Sequence, residues 1–309
     1  MRIICGNAHP ELGAAICRHA GVEAVRADIA LFPDGETKVR ILDDVRGLDI
    51  FIIQPTSPPV NERLMELLII CDALRRASAK SITAVVPYFG YARQDRKHAG
   101  RVPITAKLVG NLITVAGVNR LLTIDLHAPQ IQGFFDIPVD HLEACPVLID
   151  HIRTRPIEDP VAMSPDIGSI KMADAFARRL GAGIAVVEKR RVSDSETEAG
   201  YVIGDIKGRD VLIIDDMITS GGSMAGAVRA ARNHGARSVR VVATHGLFAG
   251  PAFERLRAAG ATEVVVTDTT PQSGRKPEGL DFSVASVSGL LAEAIGRIHR
   301  NRSVSLLFS

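Results

Sequence analysis

Short apolar runs alternate along this chain with longer segments in which apolar residues recur every three or four positions. The first pattern belongs to strands buried on both faces, the second to helices with one face on a core. In the first half, the Met-Arg-Ile-Ile-Cys start and residues 49–54, 81–87 and 120–127 read as strands. After Pro58-Pro59 a helix is expected, capped by Asn61, with Leu64, Leu67, Leu68, Cys71 and Leu74 on its apolar face. After Pro146 the series repeats. Residues 161–164 form a strand, a helix follows that ends before Gly181, and 183–187, 211–214, 239–244 and 262–267 supply further strands. Such alternation argues parallel sheets joined by crossover helices. It divides into two α/β domains of like plan, 1–145 and 146–295. The apolar end of a tail of about 296–309 is expected to dock on the first domain.

The most specific chemistry lies in 211–223, Val-Leu-Ile-Ile-Asp-Asp-Met-Ile-Thr-Ser-Gly-Gly-Ser. An apolar strand ends in the carboxylates of Asp215 and Asp216. A turn rich in hydroxyls and glycine follows, and 225–235 reads as a helix closed by a glycine. Glycines let the backbone approach a ligand, and the N–H groups at a helix amino terminus hold an anion. Carboxylates accept hydrogen bonds from sugar hydroxyls or hold Mg²⁺ through water. Together they point to a phosphate carried on a polyol. Without the acidic pair, the turn would read as a plain strand-to-helix connection with capping hydroxyls.

Other stretches carry weaker signals. Tyr88-Phe-Gly-Tyr-Ala-Arg-Gln-Asp-Arg-Lys97 sets three cations within five residues beside aromatics and an amide. That set suits stacking on a base and contacts to phosphate, or is a solvated basic loop. Phe32-Pro-Asp-Gly-Glu36 is an acidic turn. Asp125-Leu-His127 stands at a strand end, where open α/β sheets place ligands, although a lone His is commonly structural. Asp166, within Ser164-Pro-Asp-Ile-Gly-Ser169, is a ligand or a helix cap. Glu188-Lys-Arg-Arg191 opens a polar stretch to Tyr201 that reads as a mobile loop led by cations. Closing over reactants, it would offset charge growing on a transferred phosphoryl group. No Walker-type G-x-x-x-x-G-K-[ST] loop occurs.

Composition narrows the class. At 309 residues the chain fits two domains of about 150 each. Aromatics are only 4% and Trp is absent, so the core is aliphatic, as in parallel-sheet proteins. A formal charge of +2 implies no polyanionic partner, so no nucleic acid is expected. No apolar run approaches the roughly 20 residues that span a bilayer. The amino terminus shows no signal-peptide pattern, and Cys5, Cys17, Cys71 and Cys145 form no C-x-x-C spacing, so reduced, buried thiols in a cytoplasmic protein are expected.

Taken in order, the motifs resemble those of ribose-phosphate diphosphokinases, from Gly6-Asn7 to the last residues. That family's phosphosugar loop is usually Asp-Asp-Met-x-Asp-Thr-Gly-Gly-Thr. Here Thr219 replaces the third acid, and Ser220 and Ser223 replace threonines. The resemblance implies two similar phosphoribosyltransferase-type domains, each a mainly parallel sheet flanked by helices. It also implies transfer of the diphosphoryl group of MgATP to the C1 hydroxyl of ribose 5-phosphate, with AMP released. By this resemblance Phe32, Asp34, Glu36, Arg93 and Gln94 meet ATP, one stretch reaching across from a neighbouring subunit. Arg191, Asp215, Asp216, Thr219, Ser220, Gly221, Gly222 and Ser223 hold ribose 5-phosphate, His127 and Asp166 bind Mg²⁺, and Lys189 and Arg191 are catalytic. Arg46, Ser78, Arg101, Ser303 and Ser305 match an interface site for phosphate or ADP, with Asp44 where a small hydroxyl or amide residue is usual. The family works as a hexamer built from dimers. Two alternatives stay open: a phosphoribosyltransferase using the same loop, and a catalytically silent regulatory relative. The ATP-type motifs weigh against the first, and intact His127, Asp166, Lys189 and Arg191 against the second.

Overall fold

The alternation of strand and helix recurs in the computed structural model, which describes residues 1–188 and 201–307. By contact the chain separates into two units. One comprises Met1–Glu143, Thr269–Pro271 and Val287–Ser309, the other Ala144–Asp268 and Gln272–Ser286.

The first unit begins with β1 (Arg2–Cys5), α1 (Pro10–Ala20) and a hairpin of β2 (Ala27–Leu31) and β3 (Thr37–Ile41). Then come β4 (Asp49–Ile53), α2 (Val60–Arg76), β5 (Ser81–Val86), α3 (Thr105–Ala116), β6 (Arg120–Ile124) and β7 (Val139–Leu142). Five strands form a wholly parallel sheet in the order β1-β4-β5-β6-β7. Ile3, Ile4, Ile50, Phe51, Ile52 and Ile53 are buried, as the unbroken apolar runs require. Three local expectations need correction. Helix α2 begins after Pro59, and Asn61 does not cap it; its side-chain oxygen instead accepts the hydroxyl of Tyr91. Proline's fixed φ suits the start of a helix without a side-chain cap. On the buried face of α2, Ile70 joins Leu64, Leu67, Cys71 and Leu74, while Leu68 is only half-buried. Strand β6 stops at Ile124, because Asp125 takes φ 39° and turns the chain out of the sheet before His127.

The second unit holds α4 (Cys145–Arg153), β8 (Pro160–Ser164), α5 (Ile170–Leu180), β9 (Gly183–Glu188), β10 (Tyr201–Ile203), β11 (Asp210–Ile218) and α6 (Gly222–Asn233). It continues with β12 (Ser238–Gly246), α7 (Ala252–Ala259), β13 (Glu263–Thr267) and β14 (Asp281–Ala285). Its sheet runs β10-β9-β8-β11-β12-β13-β14, parallel except where β10 pairs with β9. Helix α5 ends as read, with Gly181 left-handed at φ 66°. Strand β11 overruns its expected end. Its pairing with β12 continues to Ile218↔Gly246, so Asp215 and Asp216 lie inside the strand rather than after it. At the other end of β11, the Asp210 carboxylate accepts Arg237 Nε at 2.9 Å, Ser238 Oγ at 2.7 Å and the Glu158 N–H at 2.8 Å. Those donors, Arg237 foremost, hold its carboxyl well below the usual range and fasten β11 to β12.

The remaining helix, α8 (Ser288–His299), packs on α1, so the carboxy-terminal segment joins the first unit from Val287, earlier than residue 296.

Candidate functional site

Strand order in the second sheet reverses between β8 and β11: from β8 the chain goes outward to β9, and from β11 to β12 and β13 on the other side. At such a switch point the loops leaving the two strands part, and open a crevice at their carboxyl ends. The loop after β8 carries Asp166, and the end of β11 carries Asp215, Asp216 and the turn to α6.

Helix α6 is preceded by Gly221, which is left-handed at φ 74° and provides no side-chain cap. A Cβ there would stand 3.1 Å from the Ala252 carbonyl oxygen, so close passage of the backbone beside α7 also demands glycine. The N–H groups of the first turn of α6 thus have no capping side chain, an arrangement that receives an anion. Ser220, Gly222 and Ser223 are exposed beside them, and Thr219 is half-buried. The turn is held from behind: Arg255 Nη1 donates to the Ser220 carbonyl at 3.0 Å, and the Ala249 N–H to that of Thr219 at 2.9 Å. Arg255 was not picked out by the sequence reading, because a lone arginine on a short helix carries no motif.

The acidic pair is strained electrostatically. Burial first, and then the charge of Asp216, push the Asp215 carboxyl up to about 7; Asp166 adds to the push. Ser169 Oγ donates to Asp215 Oδ1 at 2.5 Å and opposes it, as does the Asp216 N–H at 3.0 Å. Ser169 was visible in the Asp166 stretch, but its partner, 46 positions on, was not. Asp166 does cap: its Oδ1 accepts the Gly168 N–H at 2.9 Å at the start of a 3₁₀ turn, Ile167–Ser169. Among the described residues no group of three or more His, Cys, Asp or Glu is arranged to hold a metal by itself. Donor chemistry nonetheless suits magnesium, a hard cation satisfied by one or two carboxylates together with substrate phosphates and water.

In the first unit, Phe32, Asp34 and Glu36 form the tip of the β2–β3 hairpin and are exposed. The Phe32 N–H donates to the Glu36 carbonyl at 2.8 Å, the Glu36 N–H to Asp34 Oδ1 at 3.2 Å, and Gly35 takes φ 92°. Arg93 and Gln94 line a cavity of about 470 Å³ with Val60, Asn61, Tyr88 and Tyr91. The hairpin tip does not line it. Gln94 Oε1 accepts Thr105 Oγ1 at 2.5 Å and its carbonyl accepts the Ala106 N–H at 3.2 Å, which ties this turn to α3. Of the aromatics offered for stacking, Tyr88 and Phe89 are core residues, Phe89 edge-on to Phe135 at 5.8 Å, and only Tyr91 remains half-exposed. His127 is exposed just past β6. Lys189 and Arg191 lie outside the described residues.

The residues matched to a phosphate or ADP site also belong to the first unit. The Gly47 N–H donates to the Ser78 carbonyl at 2.9 Å, which brings the turn of Arg46 to Ser78. Ser303 and Ser305 hydroxyls are 2.6 Å apart, and Arg101 stands in the irregular segment before α3. Cys5 departs from the expected burial, being partly exposed, whereas Cys17, Cys71 and Cys145 are buried.

Comparison with known proteins gives a consistent picture. A profile described as the N-terminal domain of ribose phosphate pyrophosphokinase matches residues 1–117, and one described as the phosphoribosyl synthetase-associated domain matches 198–309. A ribose-phosphate pyrophosphokinase of Rhodopirellula baltica is 51% identical, the match covering 100% of this chain and 98% of the relative. One of Wolinella succinogenes is 47% identical over 99% of this chain and 98% of its own. The crystal structure of phosphoribosylpyrophosphate synthetase from Mycobacterium smegmatis superposes with a TM-score of 0.90 at 42% identity, covering 97% of this chain and 99% of that one.

Proposed function

The chain belongs to the ribose-phosphate pyrophosphokinase family, which makes 5-phosphoribosyl 1-diphosphate for nucleotide biosynthesis, and from that premise we propose how its residues divide the reaction. The diphosphoryl group of ATP passes to the C1 hydroxyl of ribose 5-phosphate, and AMP leaves. The observation that carries the assignment of residues is the strand-order switch point, where β11 bears two carboxylates near its carboxyl end and leads to an uncapped helix amino terminus. The first turn of α6 with Thr219, Ser220, Gly221, Gly222 and Ser223 receives the 5-phosphate. Asp215 and Asp216 accept hydrogen bonds from the ribose hydroxyls, which fixes the C1 hydroxyl in direction. Arg93 and Gln94 meet ATP in the cavity beside Tyr91, and Phe32, Asp34 and Glu36 contribute from the hairpin tip of a neighbouring subunit. Asp166 and His127 are ligands for Mg²⁺. When bound, the ion offsets negative charge on the phosphate oxygens. Lys189 and Arg191 complete the reading as cations that meet the transferred group. Catalysis is then chiefly positioning and charge stabilisation, as is general for phosphoryl transfer.

We place this enzyme in the cytoplasm as a hexamer built from dimers. Among the described residues no helix is long and apolar enough to cross a membrane. The deciding experiment is a product assay with ATP, Mg²⁺ and ribose 5-phosphate. AMP is expected to appear in step with consumption of ribose 5-phosphate. ADP in that proportion would instead mark a single-phosphoryl kinase and overturn the mechanism.

A further inference from the structure

A cavity of about 680 Å³ lies between the end of β1 and helix α1, and both Cys5 and Cys17 line it. Cys5 is the last residue of β1, and Cys17 lies near the end of α1. Gly13 is the reason they approach. A Cβ on Gly13 would stand 2.4 Å from Cys5 Sγ and 2.9 Å from Cys5 Cβ, so the sulfur rests directly against the helix backbone. Gly13 and Cys17 are four residues apart and therefore share a helix face. Both side chains thus line one cavity wall, near enough for each thiol to perturb the ionisation of the other. Cys17 is 7% exposed and Cys5 more open, and both stand on the wall of the cavity. Cys71 and Cys145, buried in α2 and at the start of α4, do not line this cavity.

We propose that Cys5 and Cys17 are a paired-thiol modification site, which a small hydroperoxide entering this cavity converts to an intramolecular disulfide. The proposal is independent of the roles given above to ATP and ribose 5-phosphate residues.

The contact makes the two thiols unequal. The neighbouring Cys5 thiol eases ionisation of Cys17, while the neighbouring Cys17 thiol and then burial oppose ionisation of Cys5. Cys17 is therefore the attacking sulfur. Its thiolate takes one oxygen of the hydroperoxide R–O–O–H, the O–O bond breaks, and the departing alkoxide picks up a proton and leaves as R–OH. Cys17 is then a sulfenic acid, oxidised by two electrons. Cys5 sulfur attacks it, the S–S bond forms, the S–O bond breaks, and the hydroxide leaves as water with the Cys5 proton. In sum, two thiols and one hydroperoxide give one disulfide, one alcohol and one water. A dithiol reductant reverses the step by exchange.

Peptide mapping of the intact, natively folded protein tests this, with hydrogen peroxide as the probe and alkylation before unfolding to trap free thiols. A cross-linked pair of peptides carrying Cys5 and Cys17 is expected, lost on treatment with dithiothreitol. It should form at least tenfold faster than any oxidation of Cys71, whose thiol burial pushes up to about 12. The Cys5→Ser variant should trap Cys17 as a sulfenic acid that takes up dimedone, and Cys17→Ser should give neither cross-link nor label. Should Cys5 and Cys17 stay free in the unsubstituted protein, or oxidise no faster than Cys71, the proposal is overturned. A cross-link only between separate chains would overturn it equally.

Discussion

In the role proposed for it, Asp215 ties stability to ligand binding through one carboxyl. In the unfolded chain its carboxyl titrates near ~3.9, whereas in the fold burial and Asp216 push it up to about 7. The native state therefore keeps a proton over the interval between these values that the unfolded chain gives up. The contribution of Asp215 to stability is full below the unfolded value and is lost as pH rises through about 7. The proposed binding of ribose demands the opposite state, since only the ionised carboxylate is free to accept from ribose hydroxyls at every oxygen. The Ser169 hydroxyl favours that state through its bond to Oδ1. Replacing Ser169 by Ala should raise the Asp215 value further and move the acid limb of the kcat/KM profile for ribose 5-phosphate to higher pH. Turnover at saturating substrate well above pH 8 should be nearly unchanged. A profile that drops uniformly at all pH values would show that Ser169 acts only in holding the loop after β8.

At the scale of elements, the turn into α6 offers a paired test. Gly221 takes φ 74°, which costs a residue bearing a Cβ roughly 1–2 kcal/mol, and its Cβ would press on Ala252. Gly226, within the same helix, has open space around it, and alanine there gains up to about 1 kcal/mol of helix propensity. Gly221→Ala should lower stability in urea unfolding and raise KM for ribose 5-phosphate, whereas Gly226→Ala should raise stability and leave KM alone. This contrast also marks what the sequence made legible. Strand cores announced themselves, because burial on both faces leaves an unbroken apolar run, and Gly181 announced the end of α5 through the left-handed conformation it permits. Element ends set by partners did not: the overrun of β11 is fixed by β12, and the start of α2 by Pro59 rather than Asn61. The turn from β11 into α6, proposed to hold the phosphosugar, was readable since its hydroxyls and glycines are contiguous in sequence. Ser169 on Asp215, Arg255 on Ser220 and Cys5 against Gly13 were not, because each joins distant positions and no local periodicity encodes it. The expected stacking aromatics misled for a related reason: composition cannot tell that Tyr88 and Phe89 face the core.

For the whole molecule, the open question is control by phosphate. Ser78 and Arg101 both adopt φ 62°, a conformation that residues with a Cβ hold only where surrounding structure imposes it. Ser78 and the turn of Arg46 are joined by a backbone hydrogen bond, and Ser303 and Ser305 present adjoining hydroxyls. Arginines and hydroxyls of this kind are apt ligands for an anion. Asp44 works against them in two ways. Its Oδ1 accepts the Arg46 N–H at 3.0 Å, which occupies a donor that an anion would use. A carboxylate also repels a phosphate, more weakly at an exposed position because solvent and salt screen the charge. Activity measured against phosphate at fixed Mg²⁺ and ionic strength should therefore rise only shallowly, with weak inhibition by ADP. Asp44→Asn keeps the oxygen that accepts the Arg46 N–H and removes the charge, so it should steepen the phosphate response and strengthen ADP inhibition together. If Asp44→Asn leaves both curves where they were, charge at this turn does not govern the response, and the five matched residues serve assembly instead. Absolute dependence on phosphate in the unsubstituted enzyme would show that Asp44 does not impair the site at all.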